Sequence, residues 1–166
     1  MTRAVIATEL GDIEVDLFTE SAPKAAANFV KLAKDGFFDD VIFHRVIPGF
    51  VIQGGDGQFG RSPDVIPDLV GSGGPPYAIK DDPLINAFTR GTVAMANSGP
   101  GTTKSQFFVV TKDFGASTTQ RPYPIVGHVV SGMDVVDLIA SQPRGSGPGF
   151  LLDTPVVMTA VTVSNP

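Results

Sequence analysis

The chain has no cysteine, which excludes disulfides, thiolate catalysis and cysteine-held metals at once. It has no basic surplus either. Against 17 Asp and Glu stand 12 Lys and Arg, a formal net charge of −5, so the positive face with which a general nucleic-acid binder neutralises phosphates is missing. No apolar run approaches the length of a membrane span. The N-terminal MTRAVIATELGD reaches acidic residues before any stretch as long as the core of a signal peptide. The expectation is a cytoplasmic protein with no membrane association. His44 and His128 lie far apart without paired-ligand spacing, and no metal or other cofactor is expected.

What is present suits one globular, β-rich domain over residues 1–166. The apolar fraction is 42%, and 19 Gly with 14 Pro imply many turns. AVIAT (4–8) and DIEVDLF (12–18) flank Leu10-Gly11, with Ile13, Val15 and Leu17 alternating with acidic residues, the pattern of a hairpin with one wet face. In APKAAANFVKLAKDG, Ala26, Phe29, Val30 and Ala33 fall at helical spacing. Ser21 stands at the N-cap position, Pro23 in the first turn and Gly36 at the stop. Two extended runs meet at Pro48-Gly49, and a Gly-, Pro- and Asp-rich irregular region covers 54–83. Later strands are expected at 92–96, 106–111, 125–130 and 155–163, and a second helix at GMDVVDLIASQ, ended by Pro143. About eight strands and two helices suit a closed eight-stranded antiparallel barrel capped by the two helices, because closure removes vulnerable sheet edges. A lipocalin-like barrel with an interior ligand cavity is the structural alternative. Abundant Phe, Val and Ile argue for a filled interior instead.

Some motifs imitate chemistry. Gly55 to Gly60 matches G-x-G-x-x-G, yet Pro63 and Pro67 deny it the helix that a pyrophosphate site requires, so it reads as a glycine loop. Ser21-Ala22-Pro23-Lys24 matches S-x-x-K without its companion signatures. The pairs Asp39-Asp40 and Asp81-Asp82 read as solvated turn residues. Two segments resist such readings. FHRVIPGFVIQGGD (43–56) sets an arginine, a histidine and a glutamine in an apolar, strand-like run, and VAMANSGPGTTKSQFFVVT (93–111) interleaves amides with bulky apolar groups.

Together these segments resemble the signatures of the cyclophilin family of peptidyl-prolyl cis-trans isomerases, F-H-R-x-I-P-x-F-x-x-Q-G-G-D and M-A-N-x-G-P-x-x-x-x-S-Q-F-F. Supporting similarity runs over almost the whole chain, including GSGG at 71–74 and IVGHVVSGMDVVD. The resemblance implies the same capped barrel and rotation about X-Pro bonds in peptides and in unfolded or folding proteins. A monomer is expected because no surplus amphipathic helix or apolar tail asks for a partner. The resemblance also implies Arg45 as the central catalytic group with Gln53 orienting it. A proline-binding surface would come from Phe50, Val51, Phe108 and Thr119, with His44 at the pocket edge. Ala96, Asn97 and Gln106 would hold the substrate backbone, and Tyr123 would close the rim. Where relatives carry tryptophan or phenylalanine and then leucine, this chain reads FGASTTQRPYP and has no tryptophan, so cyclosporin is expected to bind more weakly than to tryptophan-bearing relatives. GQFGRSPDVIPDLV (57–70) is longer than in compact members. A proline-peptide binding module without turnover is the functional alternative, and the intact Arg45 argues against it.

Overall fold

The computed structural model describes residues 1–83, 87–115, 122–146 and 149–165. Thr119, expected on the proline-binding surface, lies outside the described residues. The hairpin forms as the alternation dictates. β1 (Thr2–Thr8) pairs with β2 (Gly11–Leu17) along its whole length, and Ile13, Val15 and Leu17 are buried while the acidic residues between them reach solvent.

Helix α1 (Pro23–Lys34) buries Ala26, Phe29, Leu32 and Ala33, with Lys31 and Lys34 in its last turn and Gly36 at φ +71° just beyond it. Its start differs from expectation. Ser21 does not cap it: the N-cap position is Ala22, which supplies no side-chain hydrogen bond. The cap comes from far along the chain, where Asp82, 4% exposed, accepts from the backbone N–H of Lys24 (3.2 Å) and Ala25 (2.8 Å). Asp82 is therefore no solvated turn residue, since a carboxylate buried at a helix N-terminus satisfies two orphan donors and complements the helix dipole. Asp82→Ala is expected to cost about 2 kcal/mol. A urea unfolding midpoint unchanged from wild type would contradict this role.

The other elements are β3 (Val41–Ile42), β4 (Arg45–Ile47), β5 (Val51–Gly54), β6 (Thr92–Met95), β7 (Phe107–Val110), β8 (Ile125–Ser131), α2 (Met133–Ala140) and β9 (Val157–Ser164). All the strands join one strongly curled antiparallel sheet in the order β3-β9-β1-β2-β8-β6-β7-β5-β4. The count is nine where eight were expected, because the run 41–47 is broken at Phe43-His44. Its first half pairs with β9 and its second with β5. The two ends of the order are thus consecutive in the chain, and the curl is completed by covalent continuity. The outer side of each end strand is also covered: Ile42 N–H donates to Gly60 O, and Val46 N–H donates to Phe150 O. Helix α1 packs on β8 and β9, and α2 on β2, β4 and β5. Among the described residues no helix is long and apolar enough to cross a membrane.

Strands β6 and β7 are buried on both faces, which is why their sequences run as VAM or FFVV without polar alternation. Period-two geometry sorts the side chains of β5 to β8. Ile52, Val93, Met95, Phe107, Val109 and Val126 join the main core beneath the helices. Val51, Ala94, Phe108, Val110 and Ile125 form a smaller cluster on the opposite face with Phe88. Of the residues expected to line the site, Val51 and Phe108 belong to that second cluster and Phe50 and Tyr123 pack on it, outside the main core, which does not suit a lipocalin-like interior site.

Candidate active site

Strand register brings the expected residues together. Arg45 on β4 is directly opposite Gln53 on β5, Gln53 is opposite Phe108 on β7, and Phe108 is opposite Ala94 on β6. Cross-strand partners project from the same face, so one row of the sheet carries a cation, an amide and an aromatic ring in that order. Val51, two residues before Gln53, shares this face.

The result is an open cleft of about 400 Å³. Phe50, Val51, Phe108, Phe114 and Tyr123 give it apolar walls, while Arg45 and Gln53 form one side and Ala96 with Asn97 another. Its aromatic groups brace one another. Phe50 meets Phe114 at 4.8 Å, Phe88 stacks beneath Phe114 at 4.7 Å, and Tyr123 lies edge-on to Phe108 at 5.5 Å. The structure thus gathers Arg45, Phe50, Val51, Gln53, Ala96, Asn97, Phe108 and Tyr123 around one space. Phe114 was not anticipated, because its turn-rich surroundings gave no strand pattern to place it.

Arg45 has no carboxylate partner among the described residues. A chain of neutral amides holds it instead. Its Nη1 donates to Gln53 Oε1 (3.4 Å), Gln53 Nε2 donates to Gln106 Oε1 (3.1 Å), and Gln106 Nε2 donates to the carbonyls of Gly71 (2.8 Å) and Gly73 (3.0 Å). On its other side the guanidinium lies 5.5 Å from the ring centroid of Phe150, against which Arg144 also rests at 5.3 Å. The charge is steadied without being neutralised.

The amide chain is rooted in Asp56, which is fully buried. Its Oδ1 accepts from the N–H of Gln58 and Phe59, and its Oδ2 accepts from the N–H of Gly71 and Gly73. Gly73 must be glycine, because a Cβ there would collide with Asp56 Oδ1 and come within 2.7 Å of Phe59. The G-x-G-x-x-G stretch opens no helix. It folds around its own aspartate, as an Asp between glycines favours.

Gln106 sits in a neighbouring polar cleft with Gly71 to Gly73, Ser98 and Thr102. Asn97 spends its side chain on structure, donating from Nδ2 to Pro122 O (2.6 Å) and accepting at Oδ1 from Gly99 N–H. His44, expected at the pocket edge, is 6% exposed beneath the Gly71 turn and lines a third cleft rather than the apolar one. Burial is the main cause that lowers its pKa from 6.5 to about 4, with Arg45 adding to the drop and Asp56 and Gln106 opposing it. Its Nδ1 is buried with no hydrogen-bond partner among the described residues. Between pH 6.5 and about 4 the unfolded chain binds a proton here that the folded chain refuses. Stability is therefore complete above 6.5 and falls as pH drops through this window, by up to about 3 kcal/mol. His44→Gln is expected to flatten that part of the urea-unfolding pH profile, and an unchanged slope would overturn the assignment. No group of three or more His, Asp or Glu among the described residues is placed to hold a metal ion.

Residues 3–163 match the family model described as cyclophilin type peptidyl-prolyl cis-trans isomerase. A peptidyl-prolyl cis-trans isomerase of Synechococcus elongatus is 45% identical over 109 residues, covering 66% of this chain and 68% of that protein. One from Schizosaccharomyces pombe is 42% identical over 140 residues, covering 81% and 83%. A cyclophilin type isomerase of Cryptosporidium parvum, crystallised in the presence of the dipeptide Ala-Pro, superposes with a TM-score of 0.79 at 26% identity over 99% of both chains.

Proposed function

The chain belongs to the cyclophilin-type peptidyl-prolyl cis-trans isomerases and is an enzyme of that reaction; from this premise we propose that Arg45 carries the catalysis by stabilising the twisted amide. An X-Pro bond rotates against a barrier of roughly 18–20 kcal/mol, because amide resonance is lost on the way. In the twisted state the proline nitrogen becomes pyramidal and regains a lone pair that the planar amide does not offer. A donor aimed there binds the transition state selectively. Guanidinium suits the task because it stays charged and presents its donors in a fixed plane, and no nucleophile or proton transfer is needed.

One observation carries this reading: an arginine beside an apolar cleft is left without a carboxylate and oriented by neutral amides, so its donors remain available. Phe50, Val51 and Phe108 take the pyrrolidine ring, and their apolar surface disfavours the more dipolar planar amide. Gln53 fixes the guanidinium plane. Ala96, Asn97 and Gln106 hold the substrate backbone, and Tyr123 bounds the rim. In support, no hydrogen bond among the described residues occupies the main-chain N–H or carbonyl of Asn97.

The same reading extends to prolyl bonds in unfolded or folding proteins, for which the open cleft gives access, and to cyclosporin bound with weakened affinity. NMR exchange on an Ala-Pro peptide tests the central claim. Wild-type protein is expected to broaden the cis and trans signals through exchange, and Arg45→Lys to lose most of that effect, since a point charge cannot reproduce the planar fork. Full exchange with the lysine variant would remove the guanidinium from the mechanism.

A further inference from the structure

Across Arg45 from the apolar cleft lies a further one of about 460 Å³, walled by the segments 67–72 and 149–151. Two large apolar side chains stand half-bare in it, Leu69 at 44% and Phe150 at 41% exposure. Neither belongs to a loose loop. Within 57–73, Ile66 N–H donates to Phe59 O, Leu69 and Val70 N–H both donate to Ile66 O, and Asp56 clamps Gly71 and Gly73. Arg61, in the same stretch, donates to the carbonyls of Phe37 and Asp39. On the opposite wall Val46 N–H holds Phe150 O, Gly145 N–H holds Leu151 O, and Arg144, itself donating to Val46 O, lies against the Phe150 ring. Hydrogen bonds thus hold the segments that carry these two apolar side chains on the walls of the recess.

We infer that this recess is a specificity subsite of the isomerase, taking an apolar side chain from a substrate residue close to the proline. The inference rests on the placement of the prolyl bond at Arg45. Arg45 lines both this recess and the proline cleft, and Gln53 lines those two and the polar cleft around Gln106. A peptide whose prolyl amide lies on the guanidinium therefore has one polar and one apolar depression within reach. The apolar one rewards a leucine-like side chain by covering Leu69 and the Phe150 ring.

The test is kcat/KM for peptides with an Ala-Pro core, in which Gly or Leu occupies each of the two positions before the alanine and the two after the proline. At one position leucine is expected to exceed glycine by roughly tenfold. Leu69→Ser, a change on an exposed side chain, should leave the all-glycine peptide at its wild-type rate and shrink the leucine advantage to about twofold. A leucine preference that survives in Leu69→Ser, or the absence of any preference at all four positions, overturns the subsite. Failure of the underlying reading looks different: the all-glycine peptide would then be turned over equally well without Arg45.

Discussion

Arg45→Ala is expected to lower kcat/KM for a prolyl peptide by about one to two orders of magnitude, the equivalent of the 1.5–3 kcal/mol that a hydrogen bond from a charged donor contributes. Because the bond to the proline nitrogen exists only while the amide is twisted, kcat should fall and KM should change little. The fold should survive. Among the described residues the Arg45 side chain makes one long hydrogen bond to Gln53 and one ring contact with Phe150, so its removal orphans no short bond there. Circular dichroism and thermal unfolding should match the wild type while exchange on an Ala-Pro peptide slows. A folded Arg45→Ala protein that isomerises at the wild-type rate would end the proposal.

Asp56→Ala is expected to have the largest effect on stability. Its buried carboxylate accepts four backbone N–H groups, and its loss removes the acceptor of all four, that of buried Gly73 included. The individual bonds do not add, but a loss of about 3 kcal/mol or more follows from removing one charged acceptor shared by four donors. Thermal unfolding would fall by roughly 10 °C or more. Asp56→Asn should recover little, since one carboxylate oxygen becomes an NH₂ group that faces N–H donors whichever way the amide is turned. Activity should decline in both variants even where they remain folded, because Gly71 and Gly73 anchor Gln106 and through it Gln53. Wild-type stability in Asp56→Asn would show that the carboxylate is not the root of this loop.

These residues also show where the sequence was readable. The two extended runs meeting at Pro48-Gly49 were legible, while Gln53 as the neighbour of Arg45 was expected only from the resemblance; the hairpin pairs the two because they stand symmetrically about Gly49. The helices and the opening hairpin were legible because each has one wet and one dry face. What escaped was whatever depends on distant chain. Asp82 reaches α1 across 57 and 58 residues, so Ser21 was the plausible local cap and lost to a carboxylate from elsewhere. Asp56 stood inside the most informative motif, yet a glycine-rich string does not reveal that its aspartate folds the loop back on itself. Phe150, in a Gly- and Pro-rich segment, has no periodicity that could place it over Arg45. The ninth strand is a matter of one local break, since the interruption at Phe43-His44 divides what would otherwise count as one strand.

That break also matters for how the protein meets its substrates. An extended peptide can attach to many proteins by adding itself as a strand to an open sheet edge, binding through main-chain hydrogen bonds with little regard to sequence. Here the end strands β3 and β4 run into each other, and their outer N–H groups at Ile42 and Val46 are taken by Gly60 and Phe150. A passing chain therefore finds no ladder to join at either of these strands. A proline-containing peptide is thereby left to the clefts around Arg45 and Gln53, where side chains rather than a main-chain ladder decide what binds.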